Sequence, residues 1–126
     1  MTGSMELSLQ FRPEPSACTA ARHAVRDFCV ARGLGHLAHD AELLTSELVT
    51  NAVRHALTVI TVRAVHRESN LLLNVTDDGL ASAELTSALA APSAEHGRGL
   101  FVVNSLASDW GVIHAEEGKT AWFLLP

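Results

Sequence analysis

Glu47 and Asn51 stand four positions apart in ELVTNAVRHA, residues 47–56, a segment of strongly helical composition. Residues at that spacing stack on one helical face, so a carboxylate and a carboxamide are offered to the same point in space. Such hard oxygens suit magnesium, which keeps phosphates and water in its remaining positions. A polar pair at helical spacing is also the ordinary pattern of a solvated face, so it gains meaning only from two segments further along the chain. The first, LLLNVTDDG, residues 71–79, is an apolar run with β-branched members that stops at Asp77, Asp78 and Gly79. A buried strand feeding a functional loop has that form. The second, HGRGLFVVNSLA, residues 96–107, sets Gly97 and Gly99 directly before an apolar segment of helical period, an arrangement that can aim backbone N–H groups at an anion.

Taken in order, ExxxN on a helix, DxG after a strand and GxG opening a helix resemble the N, G1 and G2 boxes of the ATP-binding fold shared by gyrase and sensor histidine kinases. Within that fold NAVRHA, VTDDG and the closing GKTAWFLL look most like the stand-alone anti-sigma factor serine/threonine kinases, over a stretch from about Met5 to Leu125. The resemblance implies that the ligand is ATP or ADP with Mg2+, and that Asn51 ligates the metal. It makes Glu47 the general base for an incoming seryl hydroxyl, assistance worth roughly 10²- to 10⁴-fold. Asp77 is then the acceptor for the adenine amine, with Gly79 letting the backbone approach the ring. Gly97, Arg98, Gly99 and Leu100 are carried to the phosphates, and Thr120 to a place where its hydroxyl supports the adenine-binding carboxylate. Residues 79–96 correspond to the ATP lid.

His55 matches the family's NAxxH pattern, but one turn after Asn51 it reads more readily as a residue that supports the helix or the sheet. Two positions depart from the family. Ala81 replaces the second glycine of DxGxG, and Glu95 stands where the resembling kinases often carry an arginine before the GxG. These departures keep a nucleotide-dependent binding module without kinase activity as the alternative, beside a chain of this fold that no longer holds nucleotide. The partners implied are a sigma factor and a small anti-sigma-factor antagonist, with homodimers forming through the sheets.

The elements that must position these residues are set by periodicity. Residues 5–12 alternate, with Leu7, Leu9 and Phe11 on one side, and end before Pro13 and Pro15, as a first strand would. A helix capped by Ser16 comes next, with Ala17, Ala21, Val25 and Phe28 as its buried stripe. Asp40 is the expected cap of the second helix, whose apolar half is Leu44, Leu48, Val49, Ala52, Val53 and Ala56, with Glu47 and Asn51 at the margin. Residues 58–66 and 71–77 form a hairpin around Glu68, Ser69 and Asn70, and 110–115 and 121–125 form a last hairpin. A short helix is expected over about 82–90 and another over about 100–107. This order gives an α+β fold, a two-layer sandwich with helices on one face of a mixed, mostly antiparallel sheet.

The chain has 126 residues, is 48% hydrophobic and carries a formal charge of −5. That is enough for one domain, 1–126, burying roughly two-thirds of its unfolded surface. The acidic balance argues against nucleic acid as a direct partner. MTGSMELSLQ lacks the basic and apolar regions of a signal peptide and no apolar run reaches membrane-spanning length, so a cytoplasmic protein without membrane contact is expected. Cys18 and Cys29 fall roughly 16 Å apart along one helix and cannot bridge there, which fits reduced thiols. His36 and His39 lack a convincing third ligand for zinc.

Overall fold

The computed structural model describes residues 5–79, 106–115 and 118–126. The described elements are β1 (Glu6–Phe11), α1 (Pro15–Ala31), a 3-10 turn at Gly35–Leu37, α2 (Ala38–His55), β2 (Ile60–Arg67), β3 (Asn70–Asp77), β4 (Asp109–Ala115) and β5 (Gly118–Leu125). The strands form a single sheet in the order β1-β2-β3-β5-β4. Every described ladder is antiparallel. The sequence suggested a mixed sheet; among the described strands the two hairpins and the return of β5 alongside β3 leave no parallel pair.

Helix α1 starts two residues earlier than a Ser16 cap implies. Pro15 occupies the first turn, where its missing N–H costs nothing, and extended Glu14 precedes it without a side-chain cap, so Ser16 lies inside the helix. Its end is a Schellman closure: Gly33 takes φ +78, the Gly33 N–H donates to Val30 O and the Leu34 N–H to Cys29 O at 2.7 Å. Buried Ala17, Ala21, Val25 and Cys29 recur every four residues, while Phe28 is half-buried. The 3-10 turn runs straight into α2, so Asp40 falls within the first turn and Leu37 takes the cap position. An aspartate there still favours the helix through its N-terminal dipole.

The core lies between the two helices and one sheet face. Ile60, Val62 and Ala64 of β2, Leu71, Leu73 and Val75 of β3 and Ala121, Phe123 and Leu125 of β5 alternate onto that face. Leu44, Leu48, Val49 and Ala52 of α2 pack against them. Burial of a Leu or Val side chain contributes about 1.5–3 kcal/mol, so this face fixes both the strand register and the rotation of α2. Cys18 and Cys29 are free thiols, the first half-buried and the second buried. Among the described residues no helix is long and apolar enough to cross a membrane.

Candidate functional site

The rotation of α2 decides where Glu47 and Asn51 go. Leu44, Leu48 and Ala52 anchor its buried stripe, and Glu47 and Asn51 are both half-buried at the stripe's edge. One turn beyond Asn51 the helix ends at His55, whose carbonyl lies directly under the loop after β3. A Cβ at Gly79 would come within 1.9 Å of that carbonyl oxygen, so only glycine allows the loop to rest on the helix end. The sequence assigned this glycine to close approach by the base. The approach seen here is to α2, and it joins the ExxxN helix to the DDG loop.

Asp77 closes β3 with its side chain only 3% exposed. One carboxylate oxygen accepts the Gly79 N–H at 2.9 Å. The other accepts from Nζ of Lys119 at 2.8 Å. Lys119 is the residue that sequence reasoning missed. β3 and β5 place Asp77 directly opposite Lys119 and Thr76 opposite Thr120, so Thr120 faces away from Asp77 and its hydroxyl bonds Thr76 Oγ1 at 2.8 Å. Support of the carboxylate, expected from Thr120, therefore comes from Lys119. The signal was present in GKTAWFLL: once Ala121, Phe123 and Leu125 face the core, period-two alternation puts Lys119 there as well. Gly118, at φ +144, brings the start of β5 so close that a Cβ would meet the Asp77 carbonyl oxygen at 1.9 Å.

Asp78 has a different task. It accepts the N–H groups of Leu57 at 2.8 Å, Thr58 at 3.0 Å and Val59 at 3.3 Å, and the Thr58 hydroxyl as well. Those bonds, the Thr58 hydroxyl first and its N–H next, hold the carboxyl well below the usual carboxylate range. Asp78 thus fixes the α2–β2 link, and leaves Asp77 as the aspartate paired with Lys119 at the end of β3.

The described half of the site offers a carboxylate and a carboxamide on α2 and a buried acceptor beside a buried ammonium at the end of β3. Its hard oxygens fit a magnesium ion carried by phosphates, and its acceptor fits the amine of an adenine base. Gly97, Arg98, Gly99 and Leu100, together with the departures at Ala81 and Glu95, lie outside the described residues, as do the expected helices over 82–90 and most of 100–107. Among the described residues no group of three His, Cys, Asp or Glu side chains is placed to hold a metal ion, and His36 and His39 are exposed.

The family described as histidine kinase-like ATPase domain matches residues 11–124. No curated protein matches the chain. Among solved structures it is similar to the crystal structure of the RsbU and RsbW domains of Rv1364c from Mycobacterium tuberculosis, with a TM-score of 0.72 and 22% sequence identity. That similarity covers 97% of this chain and 32% of the other, so the present chain spans about a third of its neighbour's length.

Proposed function

Since the chain belongs to the family of histidine kinase-like ATPase domains, we propose that it binds Mg-ATP between α2 and the end of β3 and regulates transcription as an anti-sigma factor kinase, phosphorylating a serine on a small antagonist protein. The observation that carries this reading is the seating of Gly79 on the His55 carbonyl, which joins the end of the helix that bears Glu47 and Asn51 to the loop that follows Asp77. In this reading Asp77 receives the base amine, and Asn51 presents its carboxamide oxygen to the metal. The phosphates are assigned to Gly97, Arg98, Gly99 and Leu100, which lie outside the described residues. Magnesium, when bound, neutralises phosphate charge. Glu47 takes the proton of the seryl hydroxyl as its oxygen bonds to the γ-phosphorus; the bond from that phosphorus to the bridging oxygen breaks, and ADP leaves.

Assignment to the cytoplasm and to a sigma factor partner belongs to the same proposal. So does a homodimer: among the described strands β1 is an edge, whose outer backbone groups can pair with a second sheet. Sedimentation showing only monomer at micromolar concentration removes the dimer without touching the nucleotide site. The second reading, a nucleotide-gated binding module, is favoured by Glu95 and Ala81.

The kinase reading is tested through Glu47→Gln, which keeps size and hydrogen-bonding reach but cannot take the proton. A general base acts in the transition state, so its loss lowers turnover without a matching loss of binding. With γ-labelled ATP and the small protein it binds, the wild type transfers label to serine. The variant still binds ATP, and transfer falls by roughly 10² or more. Absence of transfer by the wild type to any partner it binds removes the kinase and leaves the binding module.

A further inference from the structure

We propose that Lys119 is a base-positioning residue: its ammonium donates to an unprotonated ring nitrogen of the base, next to the exocyclic amine that Asp77 receives. This inference rests on the nucleotide reading above and deepens it.

The geometry begins with the ladder. Asp77 and Lys119 are cross-strand partners, their side chains are 3% and 2% exposed, and Nζ lies 2.8 Å from Oδ2. On the β4 side Lys119 is paired with the exposed His114; the other described neighbours on that face are apolar. Ile60 is opposite Asp77 on the β2 side, with Val75 and Ala121 one step further along their strands, all buried. Taking two charges out of water is costly, and a buried ion pair is weak grounds for stability, since apolar residues of similar volume often serve as well. The position therefore asks for another reason to hold a charge.

Hydrogen-bond capacity supplies that reason. An ammonium carries three N–H groups, and among the described residues Lys119 donates to one acceptor, Oδ2 of Asp77. The carboxylate in turn takes one N–H from Gly79 and one from Lys119, and its two oxygens retain lone pairs for a further donor. Among the described residues the buried pair thus keeps unused capacity, an ammonium with N–H groups to give beside a carboxylate with lone pairs to receive. A ligand edge complementary to that pair carries a donor next to an acceptor. Adenine has this edge, its amine being flanked by N1 on one side and N7 on the other. A carboxylate alone reads only the amine; the pair reads the amine and its neighbour together. A missing partner at a buried polar group is penalised far more than a missing apolar contact, so the second contact makes Lys119 a determinant of base choice.

The test is calorimetric titration of ATP, 1-deaza-ATP and 7-deaza-ATP into the wild type and Lys119→Met. We expect the wild type to lose roughly tenfold in affinity for one of the two analogues, the one lacking the contacted nitrogen; a factor of ten is about 1.4 kcal/mol. Lys119→Met should bind ATP about tenfold more weakly than the wild type, yet bind that same analogue as the wild type does, because the lost contact is the same one. A purely structural role for Lys119 would weaken all three ligands by one factor, and that result overturns the proposal, as does unchanged ATP affinity in the variant. The wild-type arm stands alone as well: equal affinity for ATP and both analogues refutes the contact. If the wild type binds no ATP at all, the nucleotide reading falls and this inference with it; if ATP binds but the analogue pattern is missing, this inference alone falls.

Discussion

Nζ of Lys119 lies 2.8 Å from Oδ2 of Asp77 across adjacent strands, with both side chains nearly sealed from solvent. Removing one member strands the other as a buried, uncompensated charge. Asp77→Asn and Lys119→Met are therefore each expected to cost about 3–5 kcal/mol in urea unfolding, whereas the double replacement recovers most of that loss. A double-mutant cycle measures the coupling. Additive single losses would mean that the two charges do not sense one another.

A second prediction concerns Cys29. Burial, and secondarily the charge of Glu42, pushes its thiol up from an ordinary 9.0 to about 11. The folded state then holds the proton to higher pH than the unfolded chain does, so the stability this thiol contributes is complete below pH 9 and is lost as pH rises toward 11. Urea midpoints taken across that window should fall more steeply for the wild type than for Cys29→Ala. Parallel curves would show that Cys29 ionises as freely in the fold as outside it.

The fold was legible in the sequence to the extent that periodicity carries it. The apolar, β-branched run LLLNVTD and its hairpin partner ITVRAVHR gave β3 and β2, and the four-residue recurrence of Ala17, Ala21 and Val25 gave the inner face of α1. Caps were less legible. Ser16 and Asp40 are good capping residues by type, but Pro15 and the 3-10 turn at Gly35–Leu37 shift both helix starts upstream. Register was legible only in part: alternation along β5 puts Lys119 on the core face but does not say which residue lies opposite the end of β3. Whether Lys119 or Thr120 meets Asp77 depends on which residue of β5 lies opposite the end of β3, and a one-residue slip exchanges them. That is why the motif suggested Thr120 while the ladder places Lys119 there. Likewise the DDG motif does not say which aspartate is structural; the three N–H groups of Leu57, Thr58 and Val59 converge on Asp78 only once α2 and β2 are joined in space.

The most direct test of the account is calorimetry of ATP binding to the wild type, Asn51→Ala and Asp77→Asn, each confirmed as folded, with and without magnesium. If Asn51 holds the metal and Asp77 receives the adenine amine, affinity drops by roughly tenfold or more, about 1.4 kcal/mol, in Asn51→Ala only when magnesium is present, and in Asp77→Asn under both conditions. Wild-type affinity in both variants would contradict the placement of the nucleotide between α2 and the end of β3.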